Sequence, residues 1–408
     1  MALTEDILLK IAKLEKETGV KRTLFAACPN SIAAIKASFR SAKRNNAPIK
    51  FAATLNQVDG DRGYTGLNQQ EFMDLLKLEA EAVNFTGPYI AAIDHGGPWL
   101  KDIQTQERWD TERAMAAVKK SFEDAILAGY HLIHVDPTVD IFLAKDEIID
   151  IHVVVARTVE LIKHIEDFIK KYNLAPISYE VGTEEVHGGL ADDETFETFL
   201  IELKKGLKSV GLEHVWPIFI VGKVGTDLHT TTFDRDVAKQ LADKVRKYGS
   251  YIKGHYTDDV VNPEDYPLSG IGAANVGPEF TISEYDALIE LEEKELKLYK
   301  EKRIAKLSNI KNTLWKLVDE SNRWKKWLQP DEIGKTLFEL HDERKNWIVK
   351  TSCRYIWQNA EAIASRQQLY DNLNKNGIDA EAIVLGKIEH NMDKYFRAFN
   401  LINLNDLL

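Results

Sequence analysis

Asp94 and His95 end the run Tyr89-Ile-Ala-Ala-Ile-Asp-His-Gly-Gly-Pro98, where small and apolar residues give way to a carboxylate, an imidazole, two glycines and a proline. Such a run reads as a buried strand that delivers polar groups to the rim of a sheet. A carboxylate there can move a proton, and an imidazole beside it can ligate a divalent cation. Many strands end in Asp only to shape a turn, so the pair gains weight from the polar groups at the ends of the other apolar runs. Asn56 and Gln57, then Gly63-Tyr64-Thr65-Gly66, come after the second run, and His134 and Asp136 end the fourth. Glu180, Glu184, Glu185 and His187 belong to the fifth, Asp227 and His229 to the sixth, His255 and Asp258 to the seventh, and Asn275, Gly277 and Glu279 to the eighth.

His95, His229 and His255 lie at or just past three separate strand ends, as a catalytic divalent site with an open position for substrate requires. They are the expected metal ligands, and Asp94, Glu184 and Glu185 the expected catalytic groups, with Glu184 or Glu185 either adding a carboxylate to the metal site or serving as an acid/base. Asn56, Gln57, Tyr64, Asp136, Asp258 and Asn275 make up the expected substrate-binding set. Several of these carry a second reading. Asp136 and Asp258 either orient ligating histidines or act as turn and N-cap residues. Asn56 and Gln57 either meet sugar hydroxyls, which uncharged amides match, or cap a loop. Tyr64 either faces substrate or rides on a glycine-shaped turn. His134 and His187 read as neighbours of the site, whereas His131, His152, His164, His214, His341 and His390 read as structural. Gly277–Thr281 enters a helix whose backbone amides offer a weak anion cradle. Lys223, Lys253 and Arg354 read first as surface or ion-pair residues and second as partners for a phosphate or a carboxylate.

The elements that must position these groups emerge from the hydrophobic pattern. Strands are predicted at Arg22–Cys28, Ile49–Thr54, Tyr89–His95, His131–Asp136, Ile177–Gly182, Trp216–Gly222, Tyr251–His255 and Ile271–Val276. Amphipathic helices are predicted between them, at Ser31–Arg44, Gln69–Val83, Thr111–Leu127, Glu147–Tyr172, Asp192–Ser209, Asp234–Tyr248 and Ser283–Tyr299. Alternation of this kind implies parallel strands joined by right-handed crossovers, and the count and length are those of a (β/α)8 TIM barrel. In such a barrel the catalytic groups gather at the C-terminal ends of the strands. An open doubly wound sheet is the second choice, but no GxGxxG comes after the first strand. The barrel with its N-terminal helix is expected over residues 1–300, and a helical extension over 301–408 holding five of the eight tryptophans. Those tryptophans are expected in helix–helix cores, with a sugar-stacking or lid role as the sharper reading.

The 408 residues are 44% apolar with a net charge of −11, spread without long runs of one sign. This balance argues against nucleic-acid binding. Two distant cysteines, Cys28 and Cys353, form no disulfide framework and fit a reducing cytoplasm. No signal-peptide block and no segment of the ~18 apolar residues a membrane helix needs is present. The expectation is a soluble, cytoplasmic chain without a membrane partner.

Asn56-Gln-Val58, Gly63-Tyr-Thr-Gly66, Asp94-His-Gly-Gly-Pro98, Ile133-His-Val-Asp136, Gly182-Thr-Glu184, Asp227-Leu-His229, His255-Tyr-Thr-Asp258 and Val276-Gly-Pro278 together resemble the GatZ/KbaZ-type family of tagatose-bisphosphate aldolase subunits. Cys353-Arg354-Tyr355 matches that family more loosely. The family is related to the class II, metal-dependent ketose-bisphosphate aldolases. The resemblance implies a zinc or manganese ion on His95, His229 and His255, with Asp94 as the proton-transfer group. Glu184-Glu185-Val-His187 and the longer, proline-bearing segment Val260–Ala274 depart from the family pattern beside the expected substrate pocket. The chemistry implied is carbon–carbon bond cleavage in a ketohexose or its phosphate. C4 epimerisation by retro-aldol and aldol steps is the first reading and aldolase activity the second. A third is a non-catalytic accessory subunit that stabilises an aldolase partner chain. A homo-oligomer is a further possibility.

Overall fold

The computed structural model describes every residue except 145–146, 183–192, 223 and 227–230, and leaves aside the side chains of 193 and 194. Eight parallel strands close into a barrel in sequence order. They are β1 (Leu24–Ala27), β2 (Ile49–Thr54), β3 (Tyr89–Gly96), β4 (Leu132–Val135), β5 (Ser178–Gly182), β6 (Phe219–Val221), β7 (Tyr251–Gly254) and β8 (Ala273–Val276). The predicted strands coincide with these to within a few residues, because strands packed on both faces show as near-continuous apolar runs.

The helices up to the last strand are α1 (Leu3–Thr18), α2 (Ile32–Asn45), α3 (Gln69–Ala82), α4 (Asp102–Gln106), α5 (Thr111–Ala128), α6 (Ile151–Tyr172), α7 (Asp193–Ser209), α8 (Arg235–Arg246) and α9 (Asp265–Ser269). Local chemistry sets their ends. Asn68 and Glu71 form a reciprocal capping box at the start of α3, Asp110 caps α5, and Gly129 ends α5 in the left-handed conformation. Apolar faces of these helices pack on the outer side of the barrel: Phe39 on α2 lies 5.1 Å from Phe51 on β2, ring to ring.

After β8 the chain continues as α10 (Pro278–Lys300), α11 (Ile310–Ser321), α12 (Asp342–Ser352), α13 (Ala360–Asn374) and α14 (Ala380–Ala398). Helix α14 returns to the barrel, where Tyr395 stacks on Phe25 of β1 at 5.5 Å and Phe396 meets the same ring edge-on at 5.1 Å. One apolar cluster runs without a break from the barrel into these helices. Trp324 and Trp357 are buried in it, whereas Trp327, in a short 3-10 segment at Arg323–Trp327, faces the mouth of the barrel.

Candidate functional site

Successive residues of a strand point to opposite faces, so Asp94 and His95 should not share one. The structure brings them together by a local break. His95 has φ 50°, in the left-handed region, and the β3–β4 register shifts between Ile93 and Gly96. Both side chains consequently line one cavity. Such a conformation is strained for a non-glycine residue and is held in place by neighbours. His95 N–H donates to His134 Nδ1 at 3.1 Å, and Asp136 N–H donates to the Gly96 carbonyl at 2.9 Å. Gly97 then crosses so close to β4 that a Cβ there would meet the Asp136 carbonyl oxygen at 1.7 Å. Only glycine fits that crossing.

The cavity, about 200 Å³, opens at the C-terminal ends of the strands. Its lining includes Asn56, Gln57, Tyr64, Asp94, His95, His255, Asp258 and Asn275 from the barrel side, and Arg323, Trp327, Arg354 and Tyr355 from the C-terminal segment. Beneath it lies a buried charged network. Asp94 accepts from Lys253 Nζ at 2.7 Å through Oδ1 and from Asn275 Nδ2 at 2.9 Å through Oδ2. Lys253 also donates to Glu180 Oε1 at 2.6 Å, and Lys50 Nζ lies 3.4 Å from Glu180 Oε2. Burial alone would raise both carboxyls, but the Lys253 ammonium outweighs it, with His95 and His255 helping at Asp94 and Lys50 at Glu180. Both therefore sit well below the ordinary carboxylate range. Burial and the nearby Lys253 charge bring Lys50 down to about 8.

Three imidazoles meet above this network. The ring centroids of His95 and His255 are 4.6 Å apart, those of His95 and His134 are 5.1 Å apart, and those of His134 and His255 are 5.7 Å apart. His95 Nδ1 lies 2.6 Å from Asp136 Oδ2, and Thr138 donates to the other Asp136 oxygen at 2.5 Å. Burial would lower His95, but the fields of Asp94 and Asp136 outweigh it and raise it to about 9. His134 is pushed down by burial. With Nδ1 accepting the His95 amide, its proton belongs on Nε2.

Among the described residues, two overlapping groups have ligand atoms within 4.8 Å of one another: Asp94, His134, Glu180 and His255, and His95, His134 and Asp136. The donor set suits a divalent cation. An imidazole whose Nδ1 is held by a carboxylate offers Nε2 to a metal, a frequent arrangement of ligating histidines, and His95 has that arrangement. A field that favours the imidazolium form of His95 also favours a cation in its place. Lys253 already occupies the gap between Asp94 and Glu180, so the fit is better on the His95 and His255 side.

The expected residues divide into several groups. Asp94, His95 and His255 come together at the cavity floor, with Asn275 bonded to Asp94. His229, Glu184, Glu185 and His187, with Lys223 and Asp227, lie outside the described residues. Asn56 gives its whole amide to the loop after β3, donating to Leu100 O at 2.9 Å and accepting from Asp102 N at 3.0 Å. Gln57 accepts from Thr54 N at 2.7 Å and donates to Asn30 Oδ1 at 2.8 Å. Tyr64 donates to the same Asn30 oxygen at 3.0 Å. Asp258 accepts the Gly277 and Glu279 amides at 2.9 and 2.8 Å, so the anion cradle expected at the start of α10 is filled by this carboxyl. Burial, with Glu279 nearby, pushes Asp258 up to about 7.

Sequence reasoning assigned no role to Glu180 or Lys50, and it read Lys253 and Arg354 first as surface or ion-pair residues and second as partners for a phosphate or a carboxylate. Lys253 is wholly buried between two carboxylates, and Arg354 is buried against the cavity. The signal was present: Lys50 and Lys253 stand inside apolar strands, and Lys253 is two residues before His255, on the same face.

A crystal structure described as a probable tagatose 6 phosphate kinase from Sinorhizobium meliloti 1021 superposes with a TM-score of 0.76 at 19% identity, covering 92% of this chain and 100% of that one. The fructose-bisphosphate aldolase of Campylobacter jejuni superposes with a TM-score of 0.57 at 11% identity, covering 97% of this chain and 94% of that one. At these identities the likeness is one of fold. The sequence itself matches a family model over residues 8–398, and the chain belongs to the D-tagatose-1,6-bisphosphate aldolase subunit GatZ/KbaZ-like family.

Proposed function

We propose that this chain is a metal-dependent enzyme of ketohexoses or their phosphates that breaks and remakes the C3–C4 bond, giving C4 epimerisation of the tagatose/fructose type. The observation that carries the reading is Asp94, ionised and buried, next to His95 and His255 at the floor of one cavity. His95 and His255, with His229, would hold a zinc or manganese ion, whose chemistry when bound is to polarise the substrate's C2 carbonyl.

The chain's own residues supply the rest. Asp94 is deprotonated at neutral pH, as a base must be, and its Oδ2 keeps a lone pair after accepting from Asn275. It takes the proton of the C4 hydroxyl as the C3–C4 bond opens to an aldehyde, and returns it when the bond re-forms. Lys253 and Asn275 fix the carboxylate, and Asp136 fixes the His95 ring. Re-addition to the other face of the aldehyde inverts C4; release of the aldehyde makes the enzyme an aldolase. The wall of Arg323, Trp327, Arg354 and Tyr355 beside the cavity favours retention.

The test is the purified chain with manganese or zinc, supplied with tagatose, fructose and their 6-phosphates. Interconversion without triose is the expected result, and triose release would instead assign the aldolase. The third reading, an accessory subunit, draws support from family membership; turnover only after an aldolase chain is added would establish it and remove the proposal.

A further inference from the structure

Arg323, Lys326 and Arg354 face the cavity from the C-terminal segment. Two of them share Asp102, which Arg323 meets at 2.6 Å and Lys326 also contacts. Arg354 is different. It is only 6% exposed, and among the described residues no carboxylate comes within ion-pair distance of it. Its charge lies against aromatic faces, 4.6 Å from the Trp327 ring centroid and 5.0 Å from that of Tyr355. Cation–π contacts return only a fraction of what withdrawing a guanidinium from water costs. The aromatic rings alone do not offset that. Asp258, whose field reaches Arg354, stays beyond ion-pair distance and spends Oδ1 on two backbone amides. A second donor, Arg323 Nε, is buried without a hydrogen-bond partner.

We propose that Arg354 is a specificity-determining residue that receives a compact oxyanion of the substrate, a phosphomonoester or a carboxylate, with Arg323 as the supporting donor. A planar guanidinium fork matches either group in two-point contact. Asp94 and His95 line the same cavity, so one molecule can present its reacting carbons to them and its anionic group to Arg354. The inference rests on the reading of this cavity as the substrate site.

Calorimetric titration of the metal-loaded chain with tagatose, tagatose 6-phosphate and the corresponding 2-keto hexuronate tests it without turnover. One of the anionic sugars should bind about 10- to 100-fold tighter than tagatose, the equivalent of hydrogen bonds to a charged group. The 6-phosphate winning identifies the phosphomonoester, and the uronate winning identifies the carboxylate. Arg354→Gln should erase that preference, so that the anionic sugar binds no tighter than tagatose, and Arg354→Lys should restore part of it. Inorganic phosphate and acetate, read by thermal shift on wild type and Arg354→Gln, probe the anion site with no sugar present. A chain that binds either ion through Arg354 yet acts on no ketose removes the proposed function and keeps this inference. A folded Arg354→Gln chain with every anion preference of the wild type, or a wild type with none, overturns it.

Discussion

Lys253 on β7 sets its ammonium 2.7 Å from Asp94 Oδ1 on β3, across the interior of the barrel, and reaches Glu180 on β5 with a second proton. Removing one partner of a buried ion pair leaves an uncompensated charge, which is more damaging than the pair's net worth. Lys253→Met should therefore lower the unfolding free energy by about 3–5 kcal/mol, measured by urea titration at neutral pH. Asp94 and Glu180 are depressed in the fold, so their contribution is present above the ordinary carboxyl range and fades as pH falls through their folded values. The variant should lose that acid-side dependence. A change of less than ~1 kcal/mol would mean the ammonium is not placed as described.

Asp94→Asn keeps the shape of the side chain and removes the proposed base. Bound metal should be retained and the chain should still fold, at lower stability because Lys253 loses one of its two carboxylates, while kcat falls by roughly 10²–10⁴, the usual range for a positioned acid or base. Metal analysis alongside a ketose interconversion assay separates the two effects, and full activity in this variant would falsify the assignment.

Metal dependence divides the imidazoles. His255→Ala and His95→Ala should each lose the ion and all activity, and Asp136→Asn, which frees the His95 ring, should weaken metal binding by about 10- to 100-fold. Dialysis against a chelator should lower the Tm, and added zinc or manganese should restore it in proportion to occupancy. An unchanged Tm and unchanged activity after complete metal removal would count against the site.

Asp258 gives a stability signature of the opposite sign. Its folded value is about 7 against an ordinary 3.8, so its contribution is fully present below about pH 4 and is lost as pH rises through 7. Asp258→Asn keeps an acceptor for the Gly277 and Glu279 amides and cannot ionise. The variant should gain on wild type between about pH 4 and pH 8, by up to about 4 kcal/mol at about 1.36 kcal/mol per pH unit. Parallel unfolding curves across that window would refute the buried, proton-holding carboxyl.

Gly97→Ala forces a methyl against the Asp136 carbonyl. The backbone must shift, at about 1–3 kcal/mol or more, and the shift moves Asp136 away from His95. Reduced metal content together with a lower Tm is expected; wild-type values for both would show that the crossing is looser than described.

Much of this molecule was legible in local pattern. Buried parallel strands show as short apolar runs and barrel helices as 3.6-residue periodicity, so the eight strands, their order and their polar ends could be read residue by residue. The same reading singled out Asp94, His95 and His255. Which groups meet depends on barrel closure, and no local period carries that. Asp94 and His95 share a cavity only because His95 takes a left-handed φ that β4 enforces. Lys50, Glu180 and Lys253 are strand residues from three different elements, and their charges balance only after the sheet has curled on itself. Arg354 lies far beyond the last strand in sequence, and the packing of α11 to α14 carries it back to the mouth. Sequence determined the scaffold and the candidate groups, because periodicity and turn chemistry are local. Tertiary structure decided the partners of each charge, because burial and Coulomb interaction act through space between residues that the chain keeps far apart.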